Sequence, residues 1–325
     1  MGSLYLGDSS ALIKAHLLPK LKGKVDLILT SPPFPLNNKK SYGNLTGEEY
    51  RKWFVGLADL YSQLLSPKGS IVIELGNSWV PGRPIQSLLH LESLIGFVNA
   101  KNSGLRLCQQ FVCYNPSRLP SPAQWVTINR ERLTDSYTHV WWMAKDDHPK
   151  ANNKNVLRPY SASMEELLVR QSYNSGKRPS QHVISDESFL INNGGSIAPN
   201  FIEAEPMGCR DDWRMPNAFR FSNTGSNDFY HTRCRELELT PHPARMPGGL
   251  AAFFIEFLTD KKDLVLDPFA GSNTTGYLAE KLGRRWISFE IQPDYIKHSK
   301  IRFEEFSKNG KGHAHGIRKP ARRNK

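Results

Sequence analysis

Two stretches of the chain hold residue types that can do chemistry, and each follows an apolar run. In the first, Val25-Asp-Leu-Ile-Leu-Thr30 leads straight into Ser31-Pro32-Pro33-Phe34. Two prolines fix φ, remove two N–H donors and exclude a helix, so this turn is rigid and its carbonyls are free to point into a cleft. A hydroxyl at Ser31 and a flat apolar ring at Phe34 then stand at the carboxyl end of a buried strand. Taken alone, four residues fit equally well a tight strand-ending turn with Phe34 in the core.

The second stretch, Leu264-Val-Leu-Asp267-Pro268-Phe269-Ala-Gly271-Ser272-Asn273-Thr274-Thr-Gly276, also carries a strand into a helix. Gly271 lets the backbone pass close to a ligand, while Ser272, Asn273 and Thr274 supply caps and donors at the helix start. About twenty residues on, the next strand ends in Glu290, the spacing at which an α/β cofactor fold places a carboxylate on ribose hydroxyls. The pattern is not G-x-G-x-x-G and no phosphate-binding Lys follows, which argues against NAD and ATP. The alternative is a well-capped helix with a spare surface Glu, which accounts poorly for so long a run of this composition.

Seven β-rich runs must position these turns: 4–7, 25–30, 70–75, 108–114, 138–145, 263–269 and 285–291. Most are continuously apolar, which suits strands buried on both faces. Stretches of helical length lie between them, at 47–65, 85–99, 250–259, 274–282 and 293–306. Strand alternating with helix predicts an α/β fold with a doubly wound, mostly parallel sheet. Ligands of such sheets bind at the carboxyl ends of the strands, near the switch point. Residues 146–241 break the rhythm, being rich in Asn, Ser, Gly and Pro. Their Trp213, Phe219, Phe221, Phe229 and Tyr230 require a surface to pack on, so this is a loop-rich insertion or a small second domain rather than a linker.

A chain of 325 residues that is 39% hydrophobic and 10% aromatic has enough apolar surface for a sizeable core, which excludes global disorder. It has no apolar run of spanning length and no cationic start before an apolar stretch, so membrane-spanning and secretory readings fall away. Cys108, Cys113, Cys209 and Cys234 form no CxxC pair and read as reduced thiols of a cytoplasmic protein. The net charge of +12 is unevenly spread: +7 over 1–145, −2 over 146–241 and balanced over 242–307. The last stretch, 308–325, has seven basic residues and no acid. Its composition predicts a disordered tail, suited to non-specific nucleic-acid contact or to solubility alone.

The chain resembles the amino-methyltransferases of bacterial restriction–modification systems, specifically the cytosine-N4 group with the permuted motif order of the beta class. Ser31-Pro32-Pro33-Phe34 matches their catalytic S-P-P-F/Y turn, and Asp267–Gly276 resembles their S-adenosylmethionine loop. Leu6-Gly7-Asp8-Ser9 resembles the strand-end motif whose Asp meets the adenine, and Glu290 falls where the family binds the ribose. His242-Pro-Ala-Arg-Met-Pro247 resembles the segment that closes the cofactor pocket. Asn273 is a departure, since many members carry Gly there.

The resemblance implies a seven-stranded methyltransferase sheet built from 1–145 and 242–307, with 263–269 and 285–291 as its first two strands. It makes 146–241 the target-recognition region and 308–325 a basic tail. The implied cofactor is S-adenosylmethionine, with no metal, contacted by Asp8, Thr30, His242, Asp267, Pro268, Phe269, Gly271, Ser272, Asn273, Thr274 and Glu290. The implied substrate is double-stranded DNA, and the functional partner a restriction endonuclease of the same specificity, in a bacterial cytoplasm. Ser31 Oγ and the Pro32 carbonyl would accept the two N–H groups of a cytosine that has been flipped out and stacked on Phe34. Adenine-N6 enzymes usually carry Asp or Asn in place of Ser31, and C5 enzymes need a Pro-Cys turn. The residues before the four cysteines are Leu107, Val112, Gly208 and Arg233, so that turn is absent. A different class would be an inactive DNA-binding protein on the same fold.

The DNA backbone is expected along the polar loop Asn37-Asn-Lys39-Lys40-Ser-Tyr42 and beside Arg118, Arg130 and Arg132, which flank Leu119-Pro-Ser-Pro122. Phosphate contacts carry little base information, so losing them weakens cognate and non-cognate DNA alike. Replacing Lys39 and Lys40 together by Ala should flatten the slope of log affinity against log salt by about 0.9 for each phosphate no longer neutralised. An unchanged slope in a salt titration of the double variant would place the backbone elsewhere.

Overall fold

The computed structural model describes residues 2–35, 45–116, 118–173, 176–177, 183–184, 189–203, 229–242, 245–304, 306 and 317–318. Its strands are β1 (Gly2–Leu6), β2 (Val25–Thr30), β3 (Leu65–Leu75), β4 (Arg106–Tyr114), β5 (Tyr137–Ala144), β6 (Gly176–Lys177), β7 (Val183–Ile184), β8 (Phe201–Glu203), β9 (Leu264–Asp267), β10 (Arg285–Glu290) and β11 (Ile317–Arg318). Apart from β6 and β7, which pair with each other, they form one sheet in the order β11-β1-β10-β9-β2-β3-β5-β4-β8. Within it β5 alone runs against the rest.

All seven expected strands are present, and those at 263–269 and 285–291 are adjacent and parallel. Two further strands join at the edges. β8 comes from the 146–241 insertion and lies parallel to β4, and β11 comes from the basic tail and lies parallel to β1. An edge strand presents a row of unpaired backbone donors and acceptors, and these short segments satisfy part of both rows. Neither carries an apolar pattern long enough to announce itself in the sequence. The pairing at 317–318 departs from the expectation of a tail without structure.

The helices are α1 (Ser9–Leu12), α2 (Leu18–Leu21), α3 (Gly47–Val55), α4 (Ala58–Leu64), α5 (Leu89–Val98), α6 (Ala162–Arg170), α7 (Phe229–Glu236), α8 (Gly248–Leu258), α9 (Thr274–Lys281) and α10 (Pro293–Ser299). The single helix expected over 47–65 is broken at Gly56, and β3 starts at Leu65 rather than at residue 70. Ser66-Pro67-Lys68-Gly69 has no apolar period, and it lies as an irregularity between Leu65, paired with Val25, and Ser70, paired with Leu27.

The apolar runs divide their side chains between two cores, as period two requires. Leu27, Leu29 and Val72 face the side covered by α8 and α9, while Ile28, Ile71 and Ile73 face α3, α4 and α5. Helix α8 is apolar nearly all round and buries Phe254 edge-on against Phe111, with ring centroids 5.0 Å apart. Burying a side chain of that kind is worth about 1.5–3 kcal/mol. From β9 the chain proceeds outward to β10 on one side, and from β2 to β3 on the other. β9 and β2 are parallel neighbours, so the crevice between their carboxyl ends is the topological switch point. The proline turn and the glycine turn both leave the sheet there. Among the described residues no helix is long and apolar enough to cross a membrane.

Candidate active site

The last residues of the two central strands meet directly. Thr30 Oγ1, ending β2, donates to Asp267 Oδ1, ending β9, at 2.7 Å. Both side chains are buried. Burial pushes the Asp267 carboxyl up to about 6, against hydrogen bonds from Thr30, Thr275 and the Phe269 N–H that favour its charged form. Asp267 therefore holds the first residues of its own turn and anchors the neighbouring strand.

Beyond it the glycine turn closes on His242 and Glu290. Gly271 has φ +53°, a left-handed conformation, and a Cβ there would come within 3.1 Å of the His242 ring. Its N–H donates to Glu290 Oε2 at 2.8 Å, and the Gln292 N–H donates to Oε1 at 2.8 Å. Burial raises the Glu290 carboxyl above its ordinary range, opposed by these backbone donors. Each oxygen keeps lone-pair capacity for a further donor. Gly7 N–H donates to the Glu290 carbonyl at 2.9 Å, which brings the end of β1 alongside. Next to it, Asp8 caps α1 through the Ala11 N–H at 2.7 Å. His242 packs edge-on against Tyr295, ring centroids 4.2 Å apart.

The conformation at Asn273 accounts for the departure from glycine. Its φ of 56° and ψ of 42° lie in the left-handed region, which Asn enters more readily than other residues with a side chain. Its side chain folds against Gly276, where a Cβ would stand 2.3 Å from Asn273 Oδ1. The expectation that Ser272, Asn273 and Thr274 offer caps and donors is only partly met. Asn273 occupies the cap position of α9 without a side-chain cap bond. Ser272 Oγ lies 3.3 Å from Thr274 Oγ1 and accepts from Arg302 at 3.0 Å. Arg302 also donates to the Ser272 carbonyl at 2.9 Å and stacks over Tyr230 at 4.4 Å.

In the proline turn, Pro32 is buried while Ser31, Pro33 and Phe34 are half-buried. Phe34 lies on Gly76, where a Cβ would come 2.7 Å from its ring, and its other contacts are with the core. The ring is thus seated from beneath and partly open. Ser31 follows Thr30, the partner of Ile73 across the sheet, and its hydroxyl favours the charged form of Glu74 near the end of β3. Thr138 Oγ1 on β5 donates to the same carboxylate at 2.9 Å.

The basic residues expected along DNA are scattered. Lys39 and Lys40 lie outside the described residues. Arg130 is exposed, with φ +56°. Arg132 stacks on Trp79 at 4.2 Å and donates to the Pro84 carbonyl at 3.0 Å, so its guanidinium is already engaged. Arg118 is turned inward, donates to the Tyr137 carbonyl at 3.1 Å and sits in the field of Asp135 and Glu74. Sequence reasoning missed Glu74, Gly76 and Arg302. Glu74 had a signal, an acid inside the apolar run Ser70–Leu75, whereas Gly76 and Arg302 act through contacts that no local pattern marks. Among the described residues no group of His, Cys, Asp and Glu is arranged to hold a metal ion.

The family model of the DNA methylases (N6_N4_Mtase) matches residues 25–301. The chain belongs to this family. M.PvuII, a type II methyltransferase of Proteus hauseri, is 40% identical over 304 residues, covering 93% of this chain and 83% of that protein. The solved structure of PvuII DNA methyltransferase (cytosine-N4-specific) superposes with a TM-score of 0.68 at 34% identity, over 93% of this chain and 86% of that one. TTHA0409 of Thermus thermophilus, solved in complex with S-adenosyl-L-methionine, superposes with a TM-score of 0.56 at 17% identity. It covers 99% of this chain and 100% of its own, and the likeness is one of fold.

Proposed function

We propose that this DNA methylase transfers a methyl group from S-adenosylmethionine to the exocyclic N4 of a cytosine flipped out of double-stranded DNA. The observation that carries this reading is the Ser31–Phe34 turn. It is fastened by Thr30 to the glycine turn across the switch point, in a chain 40% identical to M.PvuII.

The residues present fit the cofactor. Glu290 offers acceptors to ribose hydroxyls, and Asp8 stands beside it at the end of β1 to meet the adenine. Gly271 leaves room where a side chain would press on His242, and Asp267 to Thr274 form the wall of the pocket. When bound, S-adenosylmethionine supplies an electrophilic methyl on a positively charged sulfur. The rest is orientation and preorganised acceptors. Ser31 Oγ, beside the end of β3, accepts one amino N–H. The Pro32 carbonyl, free of any helix ladder, accepts the other. Together they draw the amino nitrogen toward a tetrahedral state in which its lone pair is available. Phe34, braced from below by Gly76, stacks the base, worth about 1–3 kcal/mol by analogy with single-strand binders.

Under this reading 146–241 is the target-recognition region, reading base edges in the major groove, and the tail aids non-specific attraction to DNA. The working context is a bacterial cytoplasm, where methylation protects the site from a restriction endonuclease of the same specificity. Methylation of duplex DNA by the purified protein, followed by modified-base analysis, should give N4-methylcytosine within one short site. N6-methyladenine or C5-methylcytosine alone would overturn the reading.

The two turns should also separate in titration with S-adenosylhomocysteine. Gly271→Val places a branched residue in a left-handed conformation and should weaken binding on the order of tenfold or more. Glu290→Ala should weaken it as well. Ser31→Ala and Phe34→Ala should bind nearly as the parent does while turning over far more slowly. Equal loss of affinity in all four would contradict this division.

A further inference from the structure

Between Gly271 and Thr274 the glycine turn holds a conformation that its own residues do not favour. Gly271 and Asn273 have φ of +53° and +56°, so Ser272 stands between two left-handed residues. Asn273 is fully buried, and neither its amide nitrogen nor its amide oxygen has a hydrogen-bond partner. A residue other than glycine in that conformation is a cost, and so is a polar group taken out of water without a partner. Such costs persist only where the surroundings hold the segment in place.

The holding group is Arg302. Its Nε donates to the Ser272 carbonyl at 2.9 Å and its Nη2 to Ser272 Oγ at 3.0 Å, so backbone and side chain of the middle residue are gripped at once. The guanidinium lies over the Tyr230 ring, 4.4 Å from its centroid. Tyr230 in turn reaches the other wall of the pocket. Its hydroxyl oxygen accepts from the His242 N–H at 3.2 Å, and the His242 ring is the one that a Cβ at Gly271 would press on. Helix α7 seats Tyr230 for this role. Its Tyr230 and Cys234, four residues apart on one face, are buried together with Ile301. Arg233 of the same helix pairs with Glu304 at 3.2 Å, so α7 docks on both sides of Arg302.

We propose that Arg302 and Tyr230 form a clamp that presets the width of the S-adenosylmethionine pocket, Arg302 holding the Ser272 wall and Tyr230 the His242 wall. The inference rests on the cofactor reading above. Both residues act through Ser272 and His242 and are positioning residues. The geometry accounts for the residue type. Two donors along one edge, with the face left to stack on a ring, require a planar guanidinium, whereas lysine offers a point charge. A pocket fixed before its ligand arrives spares the ligand the cost of ordering a loose loop, so the clamp acts on cofactor affinity.

Three measurements test this: titration with S-adenosylhomocysteine, steady-state kinetics with S-adenosylmethionine and duplex DNA, and the thermal midpoint of the ligand-free protein. Arg302→Lys keeps the charge and loses the fork, and should weaken S-adenosylhomocysteine binding by about tenfold, the equivalent of one hydrogen bond. Tyr230→Phe keeps the ring beneath Arg302 and loses the hydroxyl, and should weaken binding by about three- to tenfold. In both, the loss should appear as a raised KM for S-adenosylmethionine, with kcat at saturating cofactor and KM for DNA near the parent's. Ser272→Ala removes one of the two acceptors of the fork, so its loss and that of Arg302→Lys should not add. Parental affinity in either clamp variant would overturn the proposal. So would additive losses in the Arg302–Ser272 pair, or losses that fall equally on cofactor, DNA and kcat and follow a lowered thermal midpoint, the mark of a merely structural contact. If the parent binds no S-adenosylhomocysteine, the cofactor reading fails and the clamp with it. If parent and variants bind it alike, the clamp alone fails.

Discussion

A buried hydrogen bond between the ends of two strands, Thr30 to Asp267, decides how the rest of the molecule is arranged. A carboxylate enclosed by protein must find donors or give up its charge. Asp267 finds one on the neighbouring strand and one at the Phe269 amide of its own turn. The bond requires β2 and β9 to be parallel and in step, with Leu27 opposite Val265 and Ile28 opposite Leu266. A one-residue slip would carry Thr30 to the other face of the sheet and exchange the two cores. The same register sends the proline turn and the glycine turn out of one edge, side by side. The pocket proposed for the cofactor and the seat proposed for the base are thus two sides of a single buried contact.

That edge is also where the chain concentrates buried acids. Asp267, Glu290 and Glu74 end or nearly end their strands, and burial raises all three carboxyls. Clusters of carboxyls with displaced protonation equilibria are common where ligands bind and protons move. Each is held differently. Asp267 is braced by Thr30 and Thr275, Glu290 by the amides of Gly271 and Gln292, and Glu74 by two hydroxyls with a guanidinium nearby. Arg302 supports the opposite wall, fixing Ser272 from a segment far along the chain.

The sheet was legible in the sequence because its strands are short, continuously apolar and separated by helices, a pattern that fixes class and connectivity together. The two chemical turns were legible because proline and glycine constrain the backbone wherever they stand. Elements defined by pairing alone were not. β8 and β11 take their form from the open edges of β4 and β1, and the early start of β3 rests on the pairing of Leu65 with Val25, ahead of an irregularity at 66–69. Glu74 was visible only as an acid in an apolar run, and its partners after β2 and on β5 are set by sheet order. The arginines show the limit from the other direction. A cation near a proline-rich turn looks available for phosphate, yet Arg118 faces an acid and Arg132 lies on an indole. Charge counts do not reveal which way a side chain points.

The most direct test of one site built from two turns is a double-mutant cycle of Thr30→Val and Asp267→Asn, read both as affinity for S-adenosylhomocysteine and as single-turnover methyl transfer. If the contact joins the turns, Thr30→Val alone lowers both quantities, and the pair departs from additivity by about 1 kcal/mol or more in each. If Thr30→Val changes turnover while leaving cofactor affinity at the parental value, and the two effects simply add, the turns work independently and the account is wrong.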